Sequence, residues 1–249
     1  MKAIVEFKQI RKTFGDKVVL EGADLAIYKG ETITIIGGSG MGKSVFLKLL
    51  LGVFKPDLGD VLFDGQKISD MGERRLSRMR RRIGMLFQGA ALFDSLTVRE
   101  NIAYPLREHF EYSEDEISEI VRSKLEMVGL PGTEEMMPAD LSGGMKKRVG
   151  LARAIATDPD VILYDEPTTG LDPANTKRIC NLILEMQKRL NVTSVVVTHD
   201  MDAAFSVTNR LAMLYDRKFG FVGTSDEARS SKEPIVQNFI RGEMETGDG

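Results

Sequence analysis

The sequence is poor in the residues that mark several protein classes. It has a single cysteine, Cys180, and no tryptophan among its 249 residues, so no internal disulfide can form and Cys180 is expected to be a small buried hydrophobe. No apolar run approaches the roughly 18 residues that a membrane-spanning helix needs. The first residues alternate charged and apolar side chains, unlike a signal peptide. These absences exclude a disulfide scaffold and favour a cytoplasmic protein.

An excess of basic residues is also missing. Lys and Arg total 34 while Asp and Glu total 37, which gives a net charge of −3. This balance argues against a dedicated nucleic-acid binder, because such proteins usually show a basic excess. The strongly basic segment at residues 74–82 is expected to form a solvated helix face, with anionic lipid or partner carboxylates as the alternative contact.

Two kinds of strand pattern predict the fold class. AIVEFKQI and VVLEGADLAI alternate apolar and polar residues, which is typical of half-buried antiparallel strands. ETITIIGG is a short β-branched run, and DVILYDEP and TSVVVTHD contain continuous apolar runs of the kind found in parallel strands buried on both faces. Helical spacing extends from about residue 98 to 137, with Ser113 as an N-cap. The sequence therefore predicts an α/β fold with a mixed-sheet core, an antiparallel β edge and an inserted helical subdomain.

These elements are expected to form one domain over residues 1–249. We expect its core at about residues 1–89 and 156–242, the helical subdomain at about 90–155 and a short polar tail at about 243–249. Near the end of the core, LAMLYDRKFGFVG is expected to form a hairpin, followed by a short helix.

A phosphate-binding loop is the most specific local motif. GGSGMGKS fits the spacing G-x-x-x-x-G-K-[ST] and lies between a predicted strand and a predicted helix, whereas a purely structural Gly-rich turn is the alternative. Glycines let successive N–H groups point into one concavity, and the helix dipole adds positive potential. Lys43 would neutralise β- and γ-phosphate charge, and the Ser44 hydroxyl would bind Mg²⁺. The predicted nucleotide-binding residues here are Gly37, Gly38, Ser39, Gly40, Met41, Gly42, Lys43, Ser44 and Val45, the last standing where a second hydroxyl is common.

An acidic pair follows one of the buried strands. In VILYDEP, Asp165 lies at the carboxyl end of the strand, where ligands of parallel sheets bind, and is placed to hold Mg²⁺. Glu166 comes next and would polarise an attacking water. The alternative is an exposed acidic turn before Pro167.

A second glycine-rich segment, LSGG, precedes the helical pattern of residues 145–154. Ser142, Gly143 and Gly144 form either an ordinary Ser N-cap or an anion site at a helix N-terminus. Arg148 and Arg153 on the same helix are expected on a solvated face and receive no role.

The phosphate loop, LSGG and VILYDEP together resemble the nucleotide-binding subunit of ATP-binding cassette (ABC) transporters, over about residues 4–242. This resemblance implies an ATPase that uses ATP and Mg²⁺. It also implies that Ser142, Gly143 and Gly144 cap the γ-phosphate of ATP bound by a second copy, packed head to tail as a dimer.

Four further positions match motifs of that family. By resemblance, Phe14 stacks on adenine, and Gln88 in MLFQ reaches Mg²⁺ and the attacking water. Asp172 in TGLDP bridges the two subunits, and His199 in VVVTHD contacts the γ-phosphate. The alternatives are a core phenylalanine at Phe14 and a capped strand end at His199.

The stretch MLFQGAALFDSLTVRENIAYPLREHF is similar to the ATPases of Mce/Mla-type lipid transporters. That resemblance implies phospholipid transport through a separate membrane permease, an MCE-domain substrate-binding protein as a further partner, and a position on the cytoplasmic face of the inner (plasma) membrane. We expect Tyr104, Leu106 and Arg107 in AYPLREH to line a socket for a permease helix. Ordinary core and a solvated helix end are the alternatives.

Three other functions compete with this interpretation. The ATPase subunit of a polar amino-acid or other small-solute importer would have a very similar cassette. A soluble clamp acting on nucleic acid or ribosomes is disfavoured, because residues 45–140 show no sustained heptads and the chain has one cassette. A non-catalytic regulatory cassette would normally lack Glu166 or the LSGG segment.

Overall fold

The computed structural model describes residues 2–243, which contain both strands and helices. The strands are β1 (Ala3–Phe14), β2 (Lys17–Tyr28), β3 (Thr32–Ile36), β4 (Leu58–Phe63), β5 (Gln66–Lys67), β6 (Ile83–Leu86), β7 (Val161–Asp165), β8 (Thr193–Val197), β9 (Arg210–Tyr215) and β10 (Lys218–Thr224). The helices are α1 (Lys43–Leu50), α2 (Glu73–Arg80), α3 (Val98–His109), α4 (Glu114–Met127), α5 (Gly143–Ala154), α6 (Pro173–Leu190), α7 (Met201–Val207), α8 (Ser225–Ser230) and α9 (Pro234–Arg241). None of the helices within residues 2–243 is long and apolar enough to cross a membrane.

The chain divides into two compact units. One contains the described residues up to Met79 together with those from Thr193 onward, and the other is Arg80–Val192. Helices α3, α4 and α5, which occupy most of the predicted helical subdomain, all lie in the second unit. The division into core and subdomain stays a prediction, and the predicted tail from residue 244 onward lies outside the described residues.

The first unit contains two sheets. Strands β2, β1, β4 and β5 form an antiparallel sheet in that order, and its last turn is Asp64–Gly65, where both φ angles are positive, as a tight hairpin turn requires. In the other sheet, β3 pairs in parallel with β8 on one side and with β9 on the other, and β10 adds an antiparallel edge to β9. All residues of β3 and β8 are buried, as expected for parallel strands covered on both faces.

The C-terminal elements cover this second sheet. Apolar side chains of α7, α8 and α9 pack against β9 and the end of β3, and the cluster comprises Ile36, Ala204, Leu211, Met213, Ala228, Val236 and Phe239. Helix α9 is amphipathic, so it buries one face and leaves the other in water. The predicted terminal hairpin and short helix are therefore confirmed.

The second unit combines a parallel strand pair, β6 and β7, with four helices. Two of these helices begin with reciprocal capping boxes, Thr97 with Glu100 at α3 and Ser113 with Glu116 at α4. Cys180 in α6 is buried, as predicted. Both units mix strands and helices, which confirms the predicted α/β class with its antiparallel edge.

Candidate functional site

The glycine-rich loop connects β3 to α1, as the sequence predicted. Gly42, the N-cap residue, has φ +99°, and a Cβ atom there would lie 2.7 Å from Cγ1 of Val19. A Cβ atom on Gly37 would lie 2.7 Å from the backbone oxygen of Leu214. Glycine is therefore required at both positions, because a side chain would collide with neighbouring atoms or demand a left-handed backbone.

This loop fits a phosphate group. Gly42 brings no side-chain oxygen to the first N–H groups of α1, so these donors and the helix dipole face an anion site. Lys43 opens the helix and is only 8% exposed. Its Nζ donates to the backbone oxygens of Gly37 (2.7 Å) and Gly38 (3.0 Å), which holds the ammonium against the loop. Ser44, the next residue, is exposed.

His199 follows the end of β8, at the same edge of the sheet where β3 leads into this loop. Ile35 of β3 is in register with Val197 of β8, and the N–H of Thr198 donates to the backbone oxygen of Ile35 at 3.2 Å. The His199 side chain is exposed at this edge. Because neighbouring parallel strands end together, the structure brings His199 and the phosphate loop to one edge of the first unit's sheet.

Phe14 is an exposed ring at the end of β1. It is 41% exposed, contacts Phe54 edge to face with 5.2 Å between ring centroids, and lies below the Lys12 ammonium. A core role for Phe14 is therefore wrong. An exposed aromatic face of this kind fits a planar, stacking ligand.

In the second unit, the ends of β6 and β7 bring Gln88 and the acidic pair to a common edge. Leu86 is in register with Tyr164, Gln88 follows two residues after Leu86, and Asp165 ends β7. Glu166 has a positive φ of 48°, a backbone conformation that is uncommon for residues other than glycine. The Thr169 hydroxyl donates to Oε2 of Glu166 at 3.2 Å.

The LSGG segment begins α5 in a solvent-exposed position. Ser142 is the N-cap, and its Oγ accepts from the N–H of Met145 at 3.3 Å. Ser142 and Gly143 are exposed, whereas Gly144 is buried and a Cβ atom there would lie 2.5 Å from Oδ1 of Asn175. Ser142 therefore caps α5, and the exposed first turn of this helix has the geometry that an anion site at a helix N-terminus needs.

Asp172 caps α6 close to that segment in the second unit. Its Oδ1 accepts from the N–H groups of Ala174 and Asn175, each at 3.0 Å. The hydrogen bond from the Asn175 N–H, with a further one from its side chain, holds the pKa of the Asp172 carboxyl below its usual range. The carboxylate is therefore charged and exposed.

The two arginines of α5 are not on a solvated face, so that prediction was wrong. Arg148 is buried and its Nη1 donates to the backbone oxygens of Val128 (3.3 Å) and Gly129 (2.8 Å). Arg153 donates to the backbone oxygens of Ala90 and Ala91. Burial lowers the pKa of both guanidinium groups. Both side chains satisfy carbonyl groups that helix and loop ends leave unpaired.

A groove in the second unit lies beside α3. Its volume is about 360 Å³, and its lining is partly apolar and partly basic. The apolar wall includes Phe87, Phe93 and Tyr104, and the basic side chains are Arg80, Arg81, His109 and Arg153. The rings of Phe93 and Tyr104 pack together with 4.9 Å between centroids, and both are 44% exposed.

Of the three residues predicted to line a socket, only Tyr104 lines this groove. Leu106 is 1% exposed and belongs to the core. Arg107 lies outside the groove lining and makes a two-pronged ion pair with Glu114, at 2.9 Å from Nε and 2.6 Å from Nη2. The placement of Leu106 in the socket was therefore wrong, because the side chain faces inward from α3.

Comparison with known proteins shows the family to which this chain belongs. The family model described as ABC transporter matches residues 20–169, more than half of the 249-residue chain. The chain belongs to the ABC transporter ATPase family. It is therefore an ATP-binding enzyme that hydrolyses ATP, as the sequence predicted.

Two curated relatives cover nearly all of this ABC ATPase. The intermembrane phospholipid transport system ATP-binding protein MlaF of Haemophilus influenzae is 42% identical over 97% of this chain and 92% of that protein. The probable ribonucleotide transport ATP-binding protein mkl of Mycobacterium leprae is 41% identical over 97% of this chain and 70% of that protein.

Solved cassettes share the fold. CbiO1 from Clostridium perfringens, part of the ABC transporter complex cbiONQ, has a TM-score of 0.86 and 30% identity over 97% of this chain and 96% of that one. The cassette MJ0796, solved as a dimer in a post-hydrolysis state with ADP and Pi, has a TM-score of 0.80 and 33% identity over 88% of this chain and 98% of that one.

Proposed function

We propose that this ABC ATPase is the ATP-hydrolysing subunit of a phospholipid transporter, working on the cytoplasmic face of the inner membrane through a separate permease. The observation that carries the proposal is the 42% identity to MlaF over 97% of this chain and 92% of MlaF. The mkl relative, named for ribonucleotide transport, has nearly the same identity but extends further beyond the matched region, since 70% of its length is covered. The identity to MlaF supports the lipid system, and the cargo experiment described below distinguishes it from ribonucleotide transport.

We further propose that two copies close head to tail on two ATP molecules. The exposed first turn of α5 supports this, because Ser142 and Gly143 present an anion site to the outside of the second unit. In the closed dimer, these residues would cap the γ-phosphate of ATP held by the phosphate loop of the other copy. The MJ0796 cassette, 33% identical, was solved as a dimer, which supports pairing of two copies.

Within each ATP site, the residues have separate tasks. Lys43 and the loop N–H groups bind the β- and γ-phosphates, and Phe14 stacks on adenine. Glu166 accepts a proton from the attacking water, while His199 contacts the γ-phosphate. Asp172, charged and exposed, contacts the other copy.

The proposed Mg²⁺ ligands are Ser44, Gln88 and Asp165. A hydroxyl, an amide and a carboxylate oxygen suit this ion, which prefers oxygen ligands and keeps several waters. When bound, Mg²⁺ neutralises charge on the β- and γ-phosphates. Among the described residues, no group of three or more His, Cys, Asp and Glu side chains is placed to hold a metal ion.

The groove beside α3 supports a permease partner. A partly apolar surface with clustered basic side chains fits an amphipathic helix that carries carboxylates. We propose that a permease helix docks there. An MCE-domain protein would then join the complex through the permease.

Co-purification from the native membrane with reconstitution tests the cargo. A tagged chain is isolated with its partners, which are identified by mass spectrometry, and the complex is placed in phospholipid vesicles. Stimulation of ATP hydrolysis and movement of labelled phospholipid support the proposal. Transport of a ribonucleotide or a polar amino acid without lipid movement would assign the subunit to another cargo.

A further inference from the structure

The backbone of Glu166 adopts a conformation that the surrounding structure must hold. Its φ of 48° lies in the left-handed region, which is strained for a residue other than glycine. Such a conformation persists only where neighbouring contacts fix it. Because Glu166 is the proposed base, the contacts that fix it also set where its carboxylate points.

Two residues of the second unit, Lys147 and Thr169, form hydrogen bonds with Glu166. The Lys147 Nζ donates to the backbone oxygen of Glu166 at 3.0 Å, and the Thr169 N–H donates to the same oxygen at 3.3 Å. The Thr169 hydroxyl donates to the Glu166 carboxylate at 3.2 Å. The peptide group and the side chain are thus held by separate donors.

Lys147 is an unusual residue to bury for packing alone. It is 5% exposed, and transferring an ammonium group from water is costly unless it gains partners. Burial lowers the pKa of Lys147, while the negative charges of Glu166 and Asp165 act in the opposite direction. Through its hydrogen bond to the Glu166 backbone oxygen, the Lys147 side chain reaches the acidic end of β7.

Helix α5 connects this contact to the LSGG segment. Ser142 caps α5, and Lys147 lies five positions further along the same helix, roughly 7.5 Å along its axis at 1.5 Å per residue. We propose that Lys147 and Thr169 are positioning residues that orient the Glu166 carboxylate toward the attacking water. Through Lys147, this orientation depends on the position of α5, the helix that begins at the LSGG segment. This inference rests on the proposed role of Glu166 as the base.

Steady-state ATPase assays with paired variants test the inference. In Lys147→Met and Thr169→Val we expect kcat to fall about tenfold or more, because a misplaced base loses part of a contribution of about 10²–10⁴. The KM for ATP and the affinity for a fluorescent ATP analogue should stay within about twofold, since neither residue belongs to the phosphate loop. The conservative variants Lys147→Arg and Thr169→Ser, which keep a donor, should recover most of kcat. Lys146→Met, on the adjacent and less buried lysine of α5, is the matched control.

A Glu166→Gln variant measured in parallel separates the role of Glu166 as the base from the positioning roles of Lys147 and Thr169. If Glu166→Gln turns over ATP at the wild-type rate, the base assignment fails. If Glu166→Gln is inactive while Lys147→Met and Thr169→Val keep the wild-type kcat, or raise only KM, the positioning role is overturned. Should Lys147→Met not fold, Thr169→Val and its serine partner decide the question, because Thr169 is only partly buried and valine matches its shape.

Discussion

Arg153 donates a hydrogen bond of 2.7 Å from Nη2 to the backbone oxygen of Ala90, and a second of the same length from Nη1 to that of Ala91. Both alanines have positive φ angles, 61° and 48°. The guanidinium group therefore holds a left-handed turn two residues after Gln88. It also lines the groove beside α3, so one side chain contacts both the proposed docking surface and the loop of a proposed catalytic residue.

Replacing Arg153 with methionine should lower the free energy of unfolding by roughly 2 kcal/mol, the usual cost of losing charge-assisted hydrogen bonds. We also expect ATP hydrolysis to fall, because the turn that follows Gln88 loses its two donors. Lysine at position 153 should restore little of the stability or of the ATP hydrolysis, since its ammonium group lacks the planar, two-pronged geometry of a guanidinium group. Urea unfolding and ATPase rates measure both effects. Arg122→Met, at an exposed position of α4, is the control, and equal stability of the two variants would contradict this role.

Sequence patterns could predict the structural features that depend on residues close together in the sequence. The phosphate loop, the Ser113 cap and the buried strands each follow from about ten consecutive positions. The Arg153 contact joins residues 63 positions apart, so no local pattern encodes it. Arginine is rarely buried, which is why a solvated face was expected.

Two signals in the sequence bear on the errors at Arg148 and Leu106. The apolar stretch VGLA, residues 149–152 of α5, covers every side of a helix at about 100° per residue, and in the structure residues 147–152 are all buried. Such a helix is enclosed, so its charged residues must find partners inside. Leu106 continues the spacing Val98, Ile102, Leu106 along α3, and all three are buried. That periodicity marks a core face and not a socket.

Glu166→Gln should bind ATP but hydrolyse it hardly at all, and should accumulate as an ATP-bound dimer. The amide keeps the shape of the side chain and cannot accept the water's proton. Size-exclusion chromatography with Mg-ATP measures the dimer, and phosphate release measures turnover. A variant that hydrolyses ATP like the wild type would remove Glu166 from the reaction.

Lys43→Ala and Ser142→Arg should fail in different ways. Without the Lys43 ammonium, the phosphate loop loses its point-charge partner for the triphosphate, so both affinity and activity should fall. Ser142→Arg should leave nucleotide binding by the monomer nearly unchanged and block dimer closure, because the side chain protrudes from the exposed start of α5. Titration with a fluorescent ATP analogue distinguishes them. An equal loss of affinity in both would mean that the LSGG segment serves the nucleotide of its own chain.

Tyr104 is expected to be the anchor of the groove beside α3. Its ring is 44% exposed and packs on Phe93 next to the basic side chains. Interface energy concentrates in aromatic and arginine anchors, so Tyr104→Ala should weaken permease binding by about 2 kcal/mol. The isolated subunit should keep its basal ATPase and melting temperature, while transport and lipid-stimulated hydrolysis by the complex fall together. Pull-down of the permease, melting curves and ATPase rates on the same preparations measure these quantities.

Two neighbouring variants make this test selective. Arg107→Ala removes a side chain that pairs with Glu114 away from the groove, so permease binding should be nearly unchanged. Leu106→Ala removes a core side chain and should cost about 2–5 kcal/mol of stability, which would reduce soluble yield without a specific effect on binding. If Tyr104→Ala binds the permease as the wild type does, the groove is not the docking surface. If Arg107→Ala is the variant that loses binding, the contact lies instead along the exposed end of α3, where the Arg107–Glu114 pair would have to open.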